Sequence, residues 1–143
     1  MDTFTLSLIE TDDDYRAAFG VMRELRPNLP DADAFATQAR RQGGQGYRLL
    51  AAWQDGQVKA LAGYRILENL MNGRFLYVDD LVTTASARRH GLGARLIDAL
   101  RDESKRQGCE NFVLDTGLHM PLAQRFYYRQ GLLAMGMQFV QPR

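Results

Sequence analysis

Two turn dipeptides, Asp55-Gly56 and Asn72-Gly73, constrain the middle of this chain more tightly than any other feature. Each lies between apolar runs: Tyr47–Trp53, Val58–Leu67 and Phe75–Val82. Asn-Gly and Asp-Gly take up left-handed backbone at little cost, which is what a tight reversal between paired strands requires. The pattern therefore predicts three consecutive strands joined by short reversals. Short reversals can join only antiparallel neighbours, because a parallel pair needs a long crossover.

The flanking segments complete an order of elements. Phe4, Leu6 and Leu8 alternate with Thr and Ser and read as a half-buried strand. Thr11 to Asp14 offers N-cap residues to a helix whose apolar positions are Tyr15, Ala18, Phe19, Met22 and Leu25, stopped by Pro27 and Pro30. Asp31 caps a second helix through Phe35 and Ala39, and Arg40 to Gly46 reads as a Gly-rich loop. After the three strands, Leu92, Leu96, Ile97 and Leu100 share one face of a helix that ends at Gly108. Asn111–Asp115 reads as a strand, Leu122–Gln130 as a helix stopped by Gly131, and the alternating tail Met135 to Val140 as a last strand. The order β-α-α-β-β-β-α-β-α-β combines hairpins with one β-α-β crossover and predicts an α+β domain with a mixed sheet.

Composition narrows the function classes. A chain of 143 residues is expected to form one domain, 1–143, without a metal or disulfide staple. Eighteen basic against 17 acidic residues leave a net charge of +1, which provides no field for nucleic acid or an anionic membrane. The lone Cys109 forms no disulfide framework and fits a reducing compartment, and with only His90 and His119 beside it a His/Cys metal site is not expected. Neither a signal peptide nor a membrane span is legible, so the expectation is a soluble cytoplasmic protein.

The chemistry points to Arg88-Arg89-His90-Gly91-Leu92-Gly93-Ala94, between a strand and the start of a helix. Unpaired N–H groups at a helix N-terminus attract an anion, glycines let it approach the backbone, and two arginines add charge. A nucleotide P-loop needs Gly-Lys-Ser/Thr where this chain has Gly93-Ala94-Arg95, and a dinucleotide loop needs a third glycine where it has Leu96. A ligand-free turn of the same composition is the alternative.

Two motifs together resemble the GNAT superfamily of acetyl-CoA-dependent N-acetyltransferases. Arg88, Gly91 and Gly93 match its Arg/Gln-x-x-Gly-x-Gly/Ala loop, preceded by Leu81-Val82-Thr83 in place of Leu-x-Val. Ala123-Gln124-Arg125-Phe126-Tyr127-Tyr128-Arg129-Gln130-Gly131-Leu132 follows its Ala-x-x-Phe/Leu-Tyr-x-x-x-Gly-Phe signature, with Leu132 in place of the aromatic. The resemblance implies a mostly antiparallel twisted sheet, splayed at the cofactor site by a β-bulge and flanked by helices.

It further implies that the backbone of Arg89, Gly91, Leu92, Gly93 and Ala94, with Arg88 beside it, holds the pyrophosphate of acetyl-CoA. Leu81, Val82 and Thr83 would pair with the pantetheine arm like an added strand. Tyr127 takes the place of the tyrosine that protonates the leaving thiolate, while Tyr128, about 100° around the helix, is expected to pack elsewhere. The family's usual glutamate base is Tyr77 here. Asp79 and Asp80, adjacent carboxylates in an apolar strand, are the candidates for that role; the alternative is that they bond a neighbouring loop or cap a helix. A family asparagine is replaced by Met120; His119 beside it could serve in its place but reads first as solvated, His90 reads as facing solvent or phosphate and not as catalytic, and Cys109 reads as packing.

Acceptor specificity is expected from Arg23 to Asp33, Gly43 to Gly46 and Glu68 to Asn72. These segments name no substrate, so a primary amine on a small molecule is the first expectation, and a protein N-terminus or lysine the second. A non-catalytic acyl-CoA sensor is the competing class, and edge strands leave room for a homodimer.

Overall fold

The hydroxyl of Thr11 accepts the backbone N–H of Asp14, whose carboxylate in turn accepts the N–H groups of Glu10 and Thr11. This reciprocal cap starts helix α1 (Asp12–Leu25) and holds the Asp14 carboxyl below the usual carboxylate range, because two backbone donors favour its charged form. Asp31 likewise caps α2 (Ala32–Gly43) through the N–H of Ala34. The computed structural model describes residues 3–143. Around these helices run strands β1 (Thr5–Leu8), β2 (Arg48–Gln54), β3 (Gln57–Asn69), β4 (Gly73–Thr83) and β5 (Asn111–Leu114), with helices α3 (Leu92–Arg106) and α4 (Pro121–Arg129).

The sheet order is β1-β2-β3-β4-β5, and the first three pairings are antiparallel. Asp55 and Gly56 both have positive φ (52° and 74°), as a two-residue hairpin turn requires, and Gly73 (63°) closes the second reversal. Only β5 is reached by a crossover, through α3. The result is the expected α+β architecture, with a mostly antiparallel sheet flanked by helices.

Chain contacts divide the described residues into two units, one ending at Val113 and one beginning at Leu114. In the first, Tyr15, Ala18, Met22 and Phe35 of the first two helical segments form one core with Tyr47, Leu49, Ala51 and Leu61. These sheet residues have odd numbers and so share a face. The even-numbered Ala52, Ala60 and Ala62 face the other way and are fully buried. The α3 stripe Leu92, Leu96, Ile97 and Leu100 is at most 1% exposed, and α3 meets β2, β3 and β4. In the second unit, Gly131 (φ 86°) ends α4 as the sequence pattern requires.

Two expectations are corrected. Met135 to Val140 forms no strand, and Met135, Met137, Phe139 and Val140 are exposed. Alternation supplies a sided segment, but a strand needs a neighbouring backbone, and among the described residues this tail has no ladder partner. The supposed loop from Arg40 begins too early. Helix α2 continues through Gly43, because the ordinary helix formers Arg40, Arg41 and Gln42 outweigh one terminal glycine.

Leu96 has no solvent exposure and sits between helix and sheet. Leu96→Ala should lower unfolding free energy by about 2–5 kcal/mol, read as a lower midpoint in urea with an unchanged slope.

Candidate active site

A break in the β3–β4 ladder organises the site. Gly63 pairs with Asp80 but the next residue, Tyr64, pairs with Val78, so Asp79 is an extra residue on β4. Such a bulge shifts the side-chain alternation by one. Without it Asp80 would share the Val78 face; with it Asp80 shares the face of Val82 and α1. Both aspartates are then engaged from that side. Arg65 forks onto Asp79 (Nη2 to Oδ1 2.8 Å, Nε to Oδ2 2.9 Å) and stacks on the Tyr77 ring. Hydrogen bonding to Asp79 raises the Arg65 guanidinium above its already high ordinary value.

Asp80 is held differently. Its Oδ1 accepts from Arg26 Nε at 3.0 Å and its Oδ2 from the Tyr47 hydroxyl at 2.7 Å. Arg26, at the C-cap of α1, also donates to the Asp79 carbonyl at 3.0 Å. Next to it, Glu24 accepts the Thr84 hydroxyl and the Ala85 N–H. The end of α1 is thus tied to β4 on both sides of Leu81–Thr83. Burial pushes the Tyr47 phenol well above its ordinary value near 10, and the charge and hydrogen bond of Asp80 push it the same way.

The bulge also changes what β4 exposes. By order β4 is an interior strand, yet every residue from Asp79 to Thr83 is half-exposed, while Ala60, Leu61 and Ala62 opposite are fully buried. β5 begins beside the start of β4, where the Glu110 N–H donates to the Arg74 carbonyl. At four residues it is too short to accompany an 11-residue strand to its end. The outer edge of β4 beyond the bulge, Leu81–Thr83 included, therefore runs on past the end of β5.

That edge leads through a single helical turn (Ala85–Ala87) to the glycine loop. Arg89 (φ 73°) and Gly91 (φ 71°) both have left-handed backbone, and Gly91 caps α3 without any side-chain bond. The first helical closure is Arg95 N–H to the Gly91 carbonyl at 3.0 Å, so Leu92, Gly93 and Ala94 direct their N–H groups out of the helix end. Successive amides around left-handed residues form a concavity that suits an anion. Arg88 and Arg89 are exposed beside it. Arg95 instead reaches back toward the Phe4 carbonyl (3.4 Å), so the charge at the loop comes from two arginines.

In the second unit, Tyr127 is half-buried on α4, and burial raises its phenol above the ordinary value. Phe126 packs edge-on against it at 5.5 Å. Tyr128 is 56% exposed, so the packing expected of it is not found among the described residues; its place on the helix turns it outward. Gln124 Nε2 donates to the carbonyls of Gly117 (3.0 Å) and Leu118 (3.1 Å) and fixes the turn before the helix. No group of three or more metal-ligating side chains exists among the described residues, and no helix there is long and apolar enough to cross a membrane.

The bulge therefore brings together Asp79, Asp80, Arg26, Arg65 and Tyr47. Of these, Arg65 and Tyr47 carried no sequence motif; Gly63, a glycine inside a strand, was the one available signal of close approach.

Comparison with known proteins agrees with the fold. Residues 10–132 match the Acetyltransferase (GNAT) family, and the chain belongs to it. It is an N-acetyltransferase. An uncharacterized N-acetyltransferase of Bacillus subtilis, YhdJ, is 28% identical over 120 residues, covering 83% of this chain and 84% of that protein. A probable glucosamine 6-phosphate N-acetyltransferase of Oryza sativa is 33% identical over 66 residues, spanning 46% of this chain and 38% of the rice protein. In fold, an acetyltransferase of Trypanosoma brucei superposes with a TM-score of 0.83 at 22% identity, covering 99% of this chain and 100% of that one. The aminoglycoside N-acetyltransferase AAC(6')-Iy in complex with CoA gives 0.85 at 17%, covering 100% and 96%.

Because the folded state keeps Tyr47 neutral, its contribution to stability is fully present below the unfolded phenol value near 10 and is lost as pH rises beyond it. Thermal unfolding followed from pH 9 upward should show a steeper fall of Tm in the native chain than in Tyr47→Phe.

Proposed function

We propose that this chain moves the acetyl group of acetyl-CoA to a primary amine of a small molecule by direct attack in a ternary complex. The observation that carries this reading is the half-exposed edge of β4 from Asp79 to Thr83, which runs from a pair of carboxylates to the amides at the head of α3. An extended amide-bearing arm suits the edge, and a pyrophosphate suits Arg88, Arg89, Gly91, Leu92, Gly93 and Ala94. The substrates named for relatives, aminoglycosides and glucosamine 6-phosphate, are small amines and support that acceptor class.

The reaction needs a neutral amine, a polarised carbonyl and a protonated leaving group. The amine nitrogen attacks the thioester carbon, the oxyanion collapses, and the C–S bond breaks as the amide forms. Asp80 is our choice of base. Arg65 locks both oxygens of Asp79 in a fork from one rigid guanidinium, whereas Asp80 is held by two separate groups, Arg26 on one oxygen and the neutral Tyr47 hydroxyl on the other, and is the freer of the two to take an amine proton, directly or through water. Tyr127 is assigned the thiolate proton from its motif position, because a phenol that ordinarily titrates near 10 still carries its proton at neutral pH.

Incubation with acetyl-CoA and a panel of aminoglycosides, amino sugar phosphates, simple amines and a peptide with a free N-terminus, followed by free-thiol release, tests this directly. Small amines should give amine-dependent thiol. Acetyl-CoA binding without it would favour a sensor, and release with the peptide alone would move the acceptor to protein. On the best acceptor, Tyr127→Phe and Asp80→Asn should each lower kcat about 100-fold or more with acetyl-CoA binding retained, and Asp79→Asn should lower it less.

A further inference from the structure

Tyr47 is a buried titratable group that the mechanism above does not use. It precedes β2, and two strand spacings separate β2 from β4, about 9–10 Å. Its hydroxyl nevertheless reaches Asp80 on β4 at 2.7 Å. The phenol must therefore lie over β3, the strand between them. Gly63 is the β3 residue at that crossing, paired with Leu49 on one side and Asp80 on the other. Directly paired residues share a face, so a Cβ at Gly63 would point into the ring. It would lie 2.1 Å from the Tyr47 hydroxyl oxygen and 2.6 Å from the carbon bearing it. Gly63 has no positive φ, so backbone conformation does not call for glycine there; the passage of the phenol does.

We infer that Tyr47 is a positioning residue for Asp80, and that Gly63 sets acetyl transfer indirectly by leaving room for the phenol to cross β3. This deepens the proposed function and rests on Asp80 being the base. The carboxylate is oriented by one neutral donor on Oδ2 and one charged donor, Arg26, on Oδ1. The other charges near it are Asp79 and the Arg65 that neutralises it from β3. Glu24 at the end of α1 is engaged by Thr84 and Ala85. Loss of the Tyr47 donor leaves Asp80 to Arg26 alone, and the carboxylate is free to turn away from the reacting amine.

The test uses the full chain, acetyl-CoA and the best acceptor of the amine panel. Tyr47→Phe and Gly63→Ala should each lower kcat about tenfold with KM for acetyl-CoA unchanged. In the Asp80→Asn background Tyr47→Phe should have no further effect, because groups that act as one unit are not additive. Additive losses, or a kcat that neither substitution lowers, would overturn the inference.

A second readout needs no turnover. With tyrosine labelled at ¹³Cζ, Tyr47 in the native chain should resist titration above the ordinary tyrosine range, and Asp80→Asn and Gly63→Ala should each bring it down toward that range. A Tyr47 resonance that titrates alike in all three chains overturns the contact itself. A resonance that responds as expected, in a chain whose kcat ignores Tyr47→Phe, keeps the contact and rejects Asp80 as base.

Discussion

One inserted residue does most to give this fold a site. A regular β4 would send Asp79 and Asp80 to opposite faces, one toward α1 and the other into the apolar layer under α3. A lone carboxylate in that layer costs several kcal/mol unless it is neutralised. The bulge removes the conflict by turning both acids to the same side, where two arginines and a phenol meet them. The polar cluster comes from the bulge, while the open outer edge of β4 comes from β5, whose four residues end well before β4 does.

The two acids are not equivalent. The fork from Arg65 is a bidentate contact of good geometry, the kind that fixes a backbone as well as a charge, and it sits on the bulged residue itself. Asp80 is held by two separate groups from different elements, one of them half-exposed. The first pair maintains the break in the ladder. The second couples Asp80 to the C-terminal end of α1 and to the chain entering β2.

Much of this was legible in the sequence, and the division has a physical logic. Turn dipeptides, caps and periodic stripes are local, and so Asp55-Gly56, Thr11, Asp31 and the Leu92 to Leu100 face behaved as read. The glycine loop was equally local. What escaped depends on pairing between distant segments. No periodicity distinguishes an inserted Asp79 from a regular one, and nothing around Tyr47 or Arg65 says which strand lies opposite. The tail from Met135 shows the converse error, where a local alternation was credited with a partner it does not have. Asp79 and Asp80 drew attention because buried charge is costly, and that cost is what the bulge resolves.

The left-handed Arg89 carries a further consequence. A side chain with a Cβ in this backbone region costs on the order of 1 kcal/mol, and the cost falls on the stability of the empty protein. The amides at the head of α3 therefore converge before any ligand arrives. For the proposed pyrophosphate, association would then order little of the loop, and attraction between phosphate and amide would be expressed as affinity instead of going into shaping the receptor. Selection at this position acts on folding and on binding with opposite sign, so a glycine there would relieve the first while loosening the second.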